Sequence, residues 1–167
     1  MGCSSEKTMK ENTITKEQQV HKEKDKPKYH IDKIIVPVQT EWPDDLKVYR
    51  DFNIAVIKEM AKSNNIPVEL REFPTFDDVI VALKRGDVDV MPGIDKLGDT
   101  DLSKTYTYFT GAIYLPNGKE YVPKTSYVMA VRKGDTELLN FFNDMILNFR
   151  ETGKLEQIQK KYLGNRN

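Results

Sequence analysis

Apolar residues recur with clear periods only from about residue 29 onward. Ahead of that point, "SSEKTMKENTITKEQQVHKEKDKPK" (4–28) is built from Lys, Glu, Gln, Ser and Thr and holds no aromatic residue. Such a segment buries too little apolar surface to offset the entropy of ordering it, so residues 1–28 are expected to be a disordered tether. The fold is expected over 29–167. "KIIVPV" (33–38) suits a buried strand. "DFNIAVIKEMAKSNN" (51–65) repeats apolar residues at Phe52, Val56 and Met60 and at Ile54, Ile57 and Ala61, with Lys58, Glu59 and Lys62 opposite, which predicts a core-facing helix. "IPVELREF" (66–73) reads as a second strand. "PTFDDVIVALKRG" reads as a helix opened by Thr75 with Asp78 three residues on, a capping box with a short acid, and stopped by Gly86. "DVDVMPG" (87–93) makes a third strand, and this β-α-β-α-β order is the pattern of a parallel sheet with right-handed crossovers.

Farther on, "GAIYLPNGKEYVP" (111–123) has two strand-like arms around Asn117-Gly118, a strong hairpin signal. "SYVMAVRKG" (126–134) is another strand. Asp135 can cap a helix with Leu138, Phe142, Met145 and Phe149 on its apolar face, Gly153 can end it, and "KLEQIQKKYLG" closes the chain as a shorter amphipathic helix, so the helical region spans 135–163.

Composition narrows the function classes. With 26 basic and 26 acidic residues and a net charge of +0, no overall field draws the chain to nucleic acid. No apolar run reaches the roughly 18 residues that a membrane-spanning helix needs. The single cysteine rules out an internal disulfide and multi-cysteine zinc patterns, and the 2 histidines, His21 and His30, lie in or near the polar tail, so neither a metal site nor a cofactor is expected. No P-loop, "GxGxxG", "GxSxG" or "HExxH" is present, so no enzymatic activity is expected either.

Three stretches in order, "RDFNIAVIKEMAKSNNIPVELREFPTFDDVIVALKRGDVDV", "TDLSKTYTYF" and "AVRKGDTELLNFFNDMILNFRETGKLEQIQKKYLG", together resemble the extracytoplasmic solute-binding proteins of amino-acid ABC transporters, which have the type II periplasmic-binding fold. The resemblance covers residues 33–110 and 126–164. Family members insert a second lobe between the last two stretches and close both lobes on the ligand. Here that interval is roughly 15 to 20 residues, too short for a lobe. The resemblance therefore implies an α/β fold reduced to a single lobe, a mostly parallel sheet flanked by helices, with a hairpin in place of the second lobe. The family's segment after the third strand usually carries an arginine that grips the ligand carboxylate. "PGIDKLGDT" has none, Lys96 offers only a point charge, and Asp95 and Asp99 would repel a carboxylate.

Ligands of open α/β sheets bind at the C-terminal edge of the strands. The residues converging there are Glu41 and Trp42 after the first strand, Asn53, Phe76, Gly93, Asp95, Lys96 and Tyr106. Each has a structural alternative. Trp42, the only tryptophan, either covers a ligand or packs as a half-buried indole. Asn53 caps its helix or contacts ligand, and Phe76 opens a helix core or lines the site. Tyr106 and Tyr108 alternate as in a strand, which sends both to one face, as a sheet surface or as a ligand rim. Relatives with catalytic activity need two lobes or an added domain.

Two functions follow from the resemblance. One is binding of a small polar solute, amino-acid-like, for uptake through a membrane permease or for sensing, with a homodimer across the open edge restoring a shared cleft. The other is an envelope adaptor that docks a protein through the former ligand face, where Trp42, Tyr106, Tyr108 and Tyr114 would form an apolar patch.

"MGCSSE" does not fit N-myristoylation, because Glu6 stands where Ser or Thr is wanted. Gly2-Cys3 is similar to the end of a lipobox, whose cysteine becomes the lipid-bearing first residue of the mature protein, with Met1 standing where a signal peptide would be. The expectation is an extracytoplasmic protein held to the bacterial cell membrane by lipid on Cys3, with a tether of about 25 residues.

Overall fold

A computed structural model describes residues 28–98, 101–114 and 120–164, with backbone alone over 112–114 and 120–124. Cys3, His21 and most of the expected tether, Asp99 and the expected turn at Asn117-Gly118 lie outside these residues. The chain divides at His30 and Ile31, and every element belongs to the second unit.

The first strand, β1 (Ile34–Gln39), buries Ile34 and Val36 completely. A 3-10 turn (Asp44–Leu46) leads into α1 (Lys47–Lys62). Phe52, Val56, Met60, Ile57 and Ala61 of α1 are buried, and Lys58 and Lys62 face solvent, as the apolar period predicts. The helix begins before residue 51, however, because Leu46 and Tyr49 extend its buried face and an Asp44–Lys47 ion pair (2.6 Å) spans the entry. The second strand, β2 (Val68–Phe73), pairs with β1 in parallel from Ile34↔Val68 to Gln39↔Phe73.

Next comes α2 (Phe76–Arg85), whose capping box is complete. Thr75 Oγ1 accepts from the Asp78 N–H (3.2 Å), Asp78 Oδ2 accepts from the Thr75 N–H (3.2 Å), and Gly86 ends the helix at φ 92°. The third strand, β3, spans Met91–Asp95 rather than 87–93. Val88 and Val90 are buried as a strand would bury them, but Asp89 between them joins β1 in another way. Its N–H donates to the Ile35 carbonyl (2.9 Å) and its carboxylate accepts from the Ile35 N–H (2.7 Å). A side chain thus replaces a ladder bond.

The remaining strands are β4 (Leu102–Lys104), β5 (Phe109–Tyr114) and β6 (Glu120–Arg132). The return arm of the hairpin and the following strand are one continuous 13-residue strand, β6. β3 pairs with one edge of β6, and β4 and β5 share the other, all antiparallel. The ladders are therefore one parallel pair and three antiparallel ones, where the β-α-β-α-β order alone predicts parallel strands. The cause is β6, which comes back from the hairpin against β3 and occupies the position that a further parallel strand would take.

The chain ends in α3 (Thr136–Glu151), capped by Asp135, and α4 (Lys154–Leu163) after Gly153 at φ 76°. Leu138, Phe142, Met145 and Phe149 of α3 are buried, and Lys154 of α4 pairs with Glu59 of α1 (3.3 Å). The product is one α/β lobe.

Candidate functional site

Strands β1 and β3 deliver their C-terminal ends, and α1 its first two turns, to one edge of the lobe. Trp42 stands at the centre. Its indole N–H donates to the Leu46 carbonyl (2.6 Å), which fixes the ring across the helix entry. Asn53 projects from the second turn of α1. Because that helix is capped at Leu46, Asn53 is not its N-terminal cap.

Trp42 and Asn53 form the shared wall of two half-open dimples. One has Gln39, Arg50, Ile54, Val79 and Met91 among its lining residues. The other is lined by Tyr49, Phe52, Gly93, Phe109 and Tyr127 besides the shared pair. Both are shallow, with cavity volumes of about 20 and 30 Å³, room for one or two water-sized groups each and well below the ~300–1,000 Å³ of a closed small-molecule site. Each can seat one small functional group, with the rest of a solute left outside.

The dividing wall is rigidly built. The Tyr108 hydroxyl donates to Asn53 Oδ1 (2.5 Å), and the Gly93 backbone N–H donates to the Tyr108 oxygen. Gly93 has φ +75°, and a Cβ there would lie 2.5 Å from Asn53 Nδ2, so only glycine fits. Burial drives the Tyr108 phenol far above the ordinary tyrosine value, so it is a neutral donor. Tyr127 is also raised, first by burial, then by the Asp95 carboxylate and Tyr49.

Polar groups at the edge differ in how far they are satisfied. Arg50 donates from Nε and Nη2 to Asp51 Oδ1 (3.2 Å each) and from Nη1 to the Gln39 carbonyl (3.1 Å). Gln39 Oε1 is buried and receives no hydrogen bond among the described residues. Gln39 and Arg50 were missed in the sequence because nothing local marks them; only the fold brings the end of β1 against the first turn of α1.

Of the residues named from sequence, Trp42, Asn53 and Gly93 come together. Glu41 is exposed next to them, its N–H donating to the Pro74 carbonyl (2.9 Å). Asp95 ends β3 opposite Tyr127 and accepts from the Leu97 N–H (2.9 Å) and the Thr125 hydroxyl (3.3 Å). Lys96 is exposed and held through its backbone to Ser126. Phe76, 43% exposed at the start of α2, lines neither dimple. Tyr106 is 51% exposed, lines neither dimple, and its N–H donates to Asn143 of α3 (2.8 Å).

Tyr106 and Tyr108 do not share a face, since Tyr108 is only 3% exposed. Between Lys104 opposite Ala130 and Phe109 opposite Tyr127, the chain takes five steps where β6 takes three. The excess forms a bulge that breaks the alternation. Among the described residues there is no group of three or more metal-ligating side chains, and no helix is long and apolar enough to cross a membrane.

Residues 32–165 match the family described as bacterial extracellular solute-binding proteins, family 3. The chain belongs to this family. It is a single-lobed member of the family 3 solute-binding proteins. Among solved structures, an ancestral arginine-binding protein bound to glutamine is 18% identical, with TM-score 0.63 over 82% of this chain and 100% of that one. A histidine kinase sensor domain with similarity to periplasmic binding proteins gives 16% and 0.64 over 83% and 98%. The arginine-bound form of domain 1 from TmArgBP, a Phe-to-Trp variant, gives 21% and 0.52 over 72% and 93%. At these identities the likeness establishes the fold. No curated protein sequence matches the chain.

Proposed function

We propose that this lobe is a non-catalytic, surface-anchored extracytoplasmic binding domain that takes a small polar solute at the Trp42–Asn53 edge, for ABC-type uptake or for sensing. The observation that carries the reading is the pair of dimples sharing Trp42 and Asn53 at the C-terminal edge of β1 and β3, one of them holding an unpaired buried acceptor, Gln39 Oε1. The arginine-bound domain 1 of TmArgBP supports it, because there a solute is held by a separate domain of this fold. Likeness to a kinase sensor domain supports sensing as an outlet beside transport through a permease. Cys3, by its likeness to a lipobox cysteine, is the lipid attachment point in this reading.

The adaptor alternative is less well supported, because Tyr108 is buried and cannot join Trp42 and Tyr106 in an exposed patch. Titration with the common amino acids and small polyols, followed through the fluorescence of Trp42, tests the solute reading. A saturable change with at least one compound is expected; a flat response to all of them would remove it. Lipid on Cys3 is tested by mass spectrometry of the protein from native membranes, where Cys3→Ala should release the protein into the soluble fraction.

A further inference from the structure

The walls of the two dimples and the residues beside them name a class of functional group, given the solute-binding reading above. We propose that this edge selects a primary organic ammonium and does not read a carboxylate.

Three features point the same way. The second dimple is walled by aromatic residues, Trp42, Tyr49, Phe52, Phe109 and Tyr127, and aromatic faces attract cations. Asp95, exposed and not itself a lining residue, lies directly across the β3–β6 ladder from Tyr127 of the dimple wall, and its negative charge adds to burial in raising that phenol. The Asp95 carboxylate accepts from the Leu97 N–H and the Thr125 hydroxyl, and neither neutral donor cancels its charge.

In the first dimple, the unmet need is for a donor. Gln39 Oε1 is a buried acceptor without a partner among the described residues. An ammonium N–H satisfies it, and a carboxylate only adds a second acceptor. Arg50 is the cation lining this dimple, but the fork it would turn towards a carboxylate, Nε with Nη2, is engaged by Asp51, and Nη1 is on the Gln39 carbonyl. Lys96 is exposed and lines neither dimple. No arginine follows β3 before β4, and β3 itself ends on the carboxylate of Asp95.

Cadaverine, lysine and glutarate separate the possibilities, because lysine is cadaverine with a carboxylate added beside one amine, and glutarate has two carboxylates and no amine. Each is titrated against the full chain with Trp42 fluorescence and calorimetry. Cadaverine is expected to bind at least as tightly as lysine, with glutarate giving no saturable signal. Asp95→Asn, which keeps the side-chain shape, is expected to weaken cadaverine about tenfold, and Gln39→Leu by a similar factor, with unchanged circular dichroism. Lysine binding tenfold or more tighter than cadaverine, or saturable glutarate binding, would overturn the inference and leave the solute-binding reading standing. No response to these three or to any amino acid would remove both. An Asp95→Asn protein that is folded and binds cadaverine as the parent does would also overturn it.

Discussion

Gly93, Asn53 and Tyr108 form the smallest unit on which the site depends. A methyl group at Gly93 meets both the left-handed backbone and the Asn53 amide, so Gly93→Ala is expected to cost roughly 1–3 kcal/mol, read as a lower urea midpoint with an unchanged slope. Tyr108→Phe leaves Asn53 Oδ1 and the Gly93 N–H without their shared partner, a loss of about 1–3 kcal/mol by the same measurement. The phenol also sets a pH dependence. Its folded pKa lies above the ordinary 10.0, so the folded state holds its proton where the unfolded chain releases it. Stability is therefore full below pH 10 and falls as pH rises above it, and Tyr108→Phe should flatten that alkaline slope. Asn53 was visible in the sequence as a helix cap or ligand contact, and Gly93 as the end of a strand. Their link to Tyr108 was not, because it depends on a bulge at Tyr106 and Thr107 that alternation cannot reveal.

Among the elements, α2 is fastened at both ends by interactions of different kinds. Its start is local, a reciprocal capping box, and Thr75→Ala is expected to lower stability by about 1 kcal/mol in thermal and urea unfolding. Its end is held from far away. Arg132 of β6 donates to the carbonyls of Leu83 (3.1 Å) and Val88 (2.8 Å) and faces Asp89 (3.7 Å) and Asp135 (3.6 Å). Removing it leaves two carbonyls and two carboxylates without their cation, so Arg132→Ala should cost about 2–4 kcal/mol. Arg132→Lys should recover only part of this, because one ammonium cannot span the set. Elements with local signals were legible: the caps at Thr75 and Asp135, the stops at Gly86 and Gly153, and the buried stripe of α1. The position of β3 was not, since Val88 and Val90 alternate like a strand while the carboxylate of Asp89 takes the place of the ladder. The strap from Arg132 was equally hidden, being a contact between residues some fifty positions apart.

At the scale of the whole molecule, the absence of room for a second lobe between β5 and β6 decides how binding must work. A two-lobed relative closes over its solute, whereas here Trp42 and Asn53 wall two dimples that open to one side. Small-molecule sites bury ~70–90% of a drug-sized ligand, and an open edge of this kind buries less, so affinity is limited unless something else covers the face. A second copy of the chain across that face would supply the missing cover. The two cases give opposite concentration dependence. If one lobe suffices, the apparent dissociation constant for a bound amine stays the same from dilute to concentrated protein, and small-angle scattering shows the same radius of gyration with and without it. If two copies share the solute, affinity rises with protein concentration, because binding is linked to association. Sedimentation velocity should then show a dimer only in the presence of solute. The hydrogen-bonded wall of Asn53, Tyr108 and Gly93 favours the first outcome, since it holds the dimples in place without help from a partner. A solute-dependent dimer would refute that expectation.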